Sequence, residues 1–260
     1  RGYGGWLDYE GTETYSGFEQ SIYGTIIGFD KAFGNILLGA AGGYGRSDLT
    51  QDNNDSSAAE TGYGTLYASM GTEDWFGDLL VGYGQSRVET ESGTLLGGSG
   101  NFTADQFAFY LGGGKEIRST GNDGVALTPA AALATSYYGQ DAYTDGLMQV
   151  DAYDRWSAQS RLGAALRVDK EVGSLIVTPE LRTYWLHEFN ADPDQVGYSL
   201  IGGTGRYSFG VQAPIEDILE VGLGLSIAFN DRFELVLDVD SQYSELYQAL
   251  NCSGRISYEF

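Results

Sequence analysis

The chain has 260 residues, and its 14 basic and 36 acidic residues give a formal net charge of -22 at pH 7. This excess of negative charge argues against nucleic acid as a partner, because a polyanion would be repelled. With 42% hydrophobic residues the chain is too apolar to be disordered. No apolar run approaches the roughly 18 residues that a membrane-spanning helix requires, but a spanning β-strand needs only about 9–11 residues.

Segments in which polar and apolar residues alternate follow one another along the whole chain. A period of two is typical of β-strands with one apolar and one polar face. The predicted strands, in chain order, lie near 2–10, 18–31, 36–47, 62–71, 75–87, 105–117, 125–137, 155–169, 175–187, 218–229, 233–242 and 249–260.

Short and long breaks alternate between these segments. The long breaks lie near 11–17, 48–61, 88–104, 139–154, 188–217 and 243–248. The short breaks have the composition of tight turns and are Gly34-Asn35, Glu73-Asp74, Gly121-Asn122-Asp123-Gly124, Glu171-Val172-Gly173 and Asn230-Asp231. Tight turns at one end and longer loops at the other are typical of an outer-membrane barrel. We therefore predict an all-β fold, a twelve-stranded antiparallel transmembrane β-barrel with up-and-down meander topology.

One face of the predicted strands carries small residues and charges of both signs. In a closed barrel this face would line the lumen, where some of the charges would pair across strands. The predicted lumen charges are Arg161, Arg167, Glu180, Arg182, Glu220, Asp238 and Arg255. Glycine-rich runs such as Gly39-Ala41-Gly43 weaken a strand that merely faces water. They favour a strongly curved wall, or one that another group approaches closely.

Aromatic residues near the strand ends suit the two girdles of a membrane barrel. This set comprises Tyr3, Phe29, Tyr44, Tyr137, Trp156, Trp185, Phe229, Phe233, Tyr258 and Phe260. In the last strand Ile256, Tyr258 and Phe260 are predicted to face outward, and Arg255, Ser257 and Glu259 inward. A soluble β-protein shares the alternating pattern and is the competing interpretation.

The sequence predicts no catalytic, cofactor-binding or metal-binding residue. His187 is the one histidine, is predicted to project outward with Trp185, and has no serine motif to accompany it. The acidic pairs Asp52 with Asp55 and Asp192 with Asp194 lack the spaced ligands and fixed glycine of a calcium loop, so a solvated loop explains them better. Repeated Gly-x-Gly segments open no helix and do not indicate nucleotide binding.

At this point the chain resembles the autotransporter β-domain, the translocator barrel of type V secretion. The matching residues are Gly24-x-x-x-Gly28-x-Asp30, Leu127-Thr128-Pro129, Pro179-Glu180-Leu181, Trp185-x-His187-Glu188-Phe189, Gly222-x-Gly224 and Tyr258-Glu259-Phe260. Each match is weak alone, but their order and spacing cover essentially the whole chain. The resemblance implies a barrel over residues 1–260 through which an upstream passenger crosses the outer membrane, with a helix before the first strand threading the pore.

The resemblance also implies the partners. They are outer-membrane lipid and lipopolysaccharide, the passenger with its linker helix, and the barrel-assembly machinery, which would read the signal formed by Ile256, Tyr258 and Phe260. A monomer located in the bacterial outer membrane is expected, with its loops at the cell surface and its turns in the periplasm. Two alternatives remain at this stage: an outer-membrane barrel enzyme of lipase or protease type, and a porin-like channel without a passenger.

Overall fold

The computed structural model describes residues 1–72, 74–93, 97–119, 124–230 and 232–259. Its strands, in chain order, are β1 (Gly2–Tyr9), β2 (Phe18–Phe33), β3 (Ile36–Gln51), β4 (Ser56–Gly71), β5 (Trp75–Glu91), β6 (Ser99–Lys115), β7 (Ile117–Arg118), β8 (Val125–Gln140), β9 (Tyr143–Asp145), β10 (Met148–Val150), β11 (Tyr153–Val168), β12 (Lys170–Val172), β13 (Leu175–Glu188), β14 (Asp194–Leu200), β15 (Arg206–Val211), β16 (Asp217–Asn230), β17 (Phe233–Tyr243) and β18 (Tyr247–Tyr258). The sequence expectations on Glu73, Gly121, Asn122, Asp123, Asp231 and Phe260 lie outside the described residues. Within the described ranges no helix is long and apolar enough to cross a membrane.

Twelve of the strands close into one antiparallel barrel. They are β1 to β6, β8, β11, β13, β16, β17 and β18, and each pairs with the next along the chain. The last strand returns to the first, with Tyr247 opposite Tyr9, and Tyr9 is in turn opposite Phe18 of β2. The predicted twelve-stranded meander is therefore confirmed.

The outside of this barrel is apolar and exposed. Ile27 and Phe29 on β2 are 72% and 76% exposed, and Leu66 on β4 and Ile256 on β18 are each 66% exposed. Apolar side chains that alternate with inward ones form the band that a lipid-facing wall requires.

Contacts across several strands identify the inner face. The hydroxyl of Tyr63 on β4 donates to the hydroxyl of Tyr3 on β1 at 3.2 Å, although β2 and β3 lie between these strands. Such a contact is possible only across the concave side of the sheet. The assignment of Tyr3 to an aromatic girdle was therefore wrong, because its ring lies inside the barrel.

Inward tyrosine rings explain the glycine runs on the neighbouring strands. A Cβ at Gly43 would collide with the ring of Tyr63, and one at Gly39 with the ring of Tyr67. Glycine is required at these positions because an aromatic ring packs directly against the backbone and leaves no space for a side chain. The predicted close approach is thus made by the protein's own tyrosines.

Two predicted loops contain regular structure instead. β9, β10, β14 and β15 form a separate four-stranded antiparallel sheet within the segments predicted as loops at 139–154 and 188–217. Tyr198 stacks on Tyr207 in this sheet, with ring centroids 5.5 Å apart. Several barrel strands also run further toward the loops than predicted, so that β4 begins at Ser56 and β6 at Ser99.

Candidate functional site, the barrel lumen

A single arginine organises the most charged part of the inner wall. Arg182 on β13 donates to Glu180 at 2.9 Å, to Asp238 on β17 at 2.8 Å and to Asp240 at 2.9 Å. Its side chain is only 16% exposed. Three carboxylates around one guanidinium leave this patch with a net negative charge, which keeps the lumen polar without leaving the arginine unpaired.

A second cluster lies toward the loop end of the same wall. Arg161 on β11 pairs with Glu220 on β16, and Glu220 also accepts a hydrogen bond from Gln242 at 2.7 Å. The Arg161 guanidinium lies over the ring of Tyr184, 3.7 Å from its centroid. Because β13 runs between β11 and β16, the ion pair bridges an intervening strand on the inside.

The remaining predicted charges occupy the turn end. Arg167 pairs with Glu116 at 2.7 Å, and Arg255 with Glu234 at 3.3 Å. Each of the seven predicted residues takes part in an ion pair. Sequence reasoning left Asp240 out of this set, although its spacing of two from Asp238 was a sufficient signal.

Small side chains line the inner face of β8, which pairs directly with β11, so that Ala132 lies opposite Arg161. On β8 the inward positions of the register are Ala126, Thr128, Ala130, Ala132 and Ala134. Further round, Tyr67 donates to Asp30 on β2 at 2.8 Å, and the ring of Tyr3 covers Gly24. In the sequence, Gly24 and Asp30 are recognised only as part of a family pattern. In the structure, Gly24 makes room for the ring of Tyr3 and Asp30 accepts the hydrogen bond of Tyr67.

A chain segment folds into the loop end of the lumen, and we name residues 211–215 the inward segment. Ile215 packs against the buried cluster of Tyr184, Leu186 and Ile218. Around the segment a cavity of about 540 Å³ is lined by inward side chains that include Tyr9 and Tyr138. The outer mouth is therefore narrowed by the protein itself, a feature that the sequence analysis missed.

Buried polar contacts anchor the loop that leads to this segment. The Glu188 carboxylate is 4% exposed and accepts from the Ser157 hydroxyl at 2.5 Å and from the backbone N–H groups of Ala158 and Asn190 at 2.9 and 3.0 Å. Arg155 donates to the backbone carbonyl of Asn190 at 3.0 Å. Glu188 was known from sequence only as part of the Trp185-x-His187-Glu188-Phe189 match, and its fixed position shows why an acidic residue is needed there.

His187 lies on the outside of the barrel, at its loop end. Its Nδ1 is 3.0 Å from Oδ1 of Asp217, and the same oxygen accepts the indole N–H of Trp185 at 2.8 Å. The outward direction predicted for His187 and Trp185 agrees with this arrangement. Nothing in it connects His187 to the lumen.

Comparison with known proteins agrees with this architecture. The chain is 24% identical over 272 residues to the probable autotransporter YcgV of Escherichia coli strain K12, a match covering 100% of this chain and 27% of that protein. It is 20% identical to the extracellular serine protease of Serratia marcescens, over 99% of this chain and 25% of that protein. The chain thus spans about a quarter of the length of the curated relatives it matches.

Solved structures show the same fold. The transport unit of the autotransporter AIDA-I from Escherichia coli superposes with a TM-score of 0.78 at 14% identity, covering 100% of this chain and 89% of that one. The translocator domain of the autotransporter NalP from Neisseria meningitidis gives a TM-score of 0.77 at 14% identity, covering 100% and 86%. The family model described as Autotransporter beta-domain matches residues 1–240. The chain therefore belongs to the autotransporter β-domain family, whose barrels lie in the bacterial outer membrane.

Proposed function

We propose that this barrel is a translocator pore that mediates export of its own N-terminal passenger segment and then anchors it. Residues 1–260 form one translocator unit in this proposal, and no reaction is catalysed by the barrel. The observation that carries the proposal is the polar lumen, in which charge pairs around Arg182 lie beside a strand whose inward positions are small residues such as Ala130 and Ala132.

The dimensions of the fold agree with that role. About eight strands give a barrel filled by its own side chains, whereas 16–18 leave an aqueous channel. Twelve strands lie between these limits, and a helix with its side chains is about 10–12 Å across. Small inward residues such as Ala130 and Ala132 leave room for one such segment beside the inward tyrosines, while the paired charges keep the lumen hydrated.

The partners follow from the same surfaces. The apolar outer band would contact membrane lipid and lipopolysaccharide, and the lumen would hold the passenger with its linker helix. Because closure leaves no sheet edge in the bilayer, the barrel has no need of a second copy, and we propose a monomer.

The test uses the full-length gene product with an epitope placed upstream of residue 1. We expect protease added to intact cells to remove the epitope, while a variant lacking residues 1–260 keeps it inside. Epitope exposure that persists without the barrel would contradict export through it. If the gene encodes no upstream segment, the porin-like alternative replaces this proposal.

We also propose that the last strand carries the assembly signal, formed by the outward-facing Ile256 and Tyr258 together with Phe260. Deleting Phe260 should strongly lower the amount of assembled barrel in cells. The free energy of unfolding of the refolded protein should fall by no more than the contribution of one buried aromatic side chain, about 1.5–3 kcal/mol. Heat-modifiable gel migration measures assembly, and urea unfolding in detergent measures stability.

The inward Ser257 offers a matched control, since Ser257→Ala changes the same strand on its other face. Cells should assemble this variant normally. If the Phe260 deletion and Ser257→Ala reduce the amount of assembled barrel equally, an assembly signal on the outward face is contradicted. Normal assembly after the Phe260 deletion would contradict it as well.

A further inference from the structure

Three potential metal ligands meet at the loop end of the barrel. They are His187 at the end of β13, Glu216 in the preceding loop and Asp217 at the start of β16. One donor atom of each lies within 4.8 Å of the others. We propose that they form a binding site for a divalent transition-metal ion such as Zn²⁺.

The spacing of two of these ligands is close to what a single ion requires. Nδ1 of His187 and Oδ1 of Asp217 are 3.0 Å apart, and two donor atoms that each lie about 2.0–2.2 Å from one tetrahedral ion are separated by roughly 3.3–3.6 Å. The ion would replace the proton that this pair shares. The Glu216 carboxylate is exposed, and one of its oxygens lies within 4.8 Å of the donor atoms of both other residues.

The surroundings hold two of the ligands in place. The indole N–H of Trp185 donates to Oδ1 of Asp217 at 2.8 Å and so orients its carboxylate. The ring of Phe189 packs edge-on against the imidazole, with centroids 4.9 Å apart. Supporting contacts of this kind fix the direction of a ligand's lone pairs before the metal arrives.

The site is open on one side. Glu216 and Asp217 are exposed, and with Trp185 they line a groove of about 750 Å³ that also includes Thr12 and the inward segment, while His187 lies beside it. Water or an outer ligand can therefore fill the remaining coordination positions. An imidazole nitrogen favours zinc, nickel or copper over calcium or magnesium, which prefer oxygen ligands.

The sequence alone does not point to this site, because His187 is separated from Glu216 and Asp217 by about 30 residues of chain. The register of β13 with β16 brings His187 opposite Asp217. The proposed ligand set therefore exists only in the folded barrel.

The test exploits the single histidine of the chain. The barrel is purified in detergent without a histidine tag, labelled with ¹⁵N-histidine, and titrated with Zn²⁺ alone. We expect one Zn²⁺ per chain by calorimetry and a shift of the one imidazole signal. Asp217→Asn and Glu216→Gln should each weaken binding at least about tenfold, the scale on which losing even a supporting contact lowers metal affinity.

Glu89→Gln is the matched control, because it removes one exposed carboxylate on the outer face of β5, on a distant part of the wall. This variant should bind Zn²⁺ like the parent, and heat-modifiable migration should show that all variants are folded. An imidazole signal that does not respond to Zn²⁺ would overturn the proposal. So would equal weakening by Glu89→Gln and Asp217→Asn, which would indicate diffuse binding to an acidic surface.

Discussion

Replacing Arg182 by methionine should lower the free energy of unfolding by about 3 kcal/mol, the lower end of the range for breaking a buried ion pair. The substitution keeps most of the side-chain volume but leaves Glu180, Asp238 and Asp240 facing one another without a cation. We expect reversible urea unfolding in detergent at neutral pH to show this loss.

Arg255→Met is the matched control for this prediction. Arg255 has one carboxylate partner, Glu234, and their side chains are 52% and 38% exposed. Such an exposed pair contributes less than about 1 kcal/mol. If both substitutions lower the free energy of unfolding equally, the three-carboxylate cluster around Arg182 is not a stabilising centre.

Releasing the inward segment should open the barrel mouth. When residues 212–215 are exchanged for a glycine-serine sequence of equal length, Ile215 no longer packs on Tyr184 and Leu186. We expect a higher single-channel conductance in planar bilayers. The loss in stability should be about 1–2 kcal/mol, because the isoleucine is only partly buried.

A control exchange at residues 201–204 alters the same long loop at the tip of the β14–β15 hairpin, where Ile201 is 53% exposed. Conductance should then stay at the parental value. An unchanged conductance after the exchange at 212–215 would mean that the inward segment does not limit the pore.

The barrel itself was predictable because its determinants are local. Period-two alternation fixes which side of each strand Arg161 or Leu162 faces, and turn glycines mark where strands reverse. Gly34 and Gly173 adopt φ of 64° and 66°, the left-handed region that a glycine enters without a steric penalty. Closure then follows, since an open sheet edge in lipid would leave backbone groups unsatisfied.

The features that were missed depend on contacts between distant residues. Nothing in the sequence of Gln212 to Ile215 indicates that this segment turns into the lumen, because its partners lie on β13 and β16. Strands β9 and β10 have three residues each, too few for alternation to be detected. The inward direction of Tyr3 was misjudged because an aromatic near a strand end suits either face, and only its contact with Tyr63 decides.

The unequal lengths of the barrel strands give the outer rim a slope. β5 and β6 have 17 residues each, whereas β17 has 11 and β18 has 12. At about 3.3 Å per residue, the wall at β5 and β6 extends some 15–20 Å further along the strand direction. The opening is thus tilted toward β17 and β18. If the barrel exports a passenger as proposed, the emerging polypeptide would reach water first on the side of β17 and β18, while the longer strands on the other side would still cover it. Its direction of exit around the barrel axis would therefore be fixed by the strand lengths.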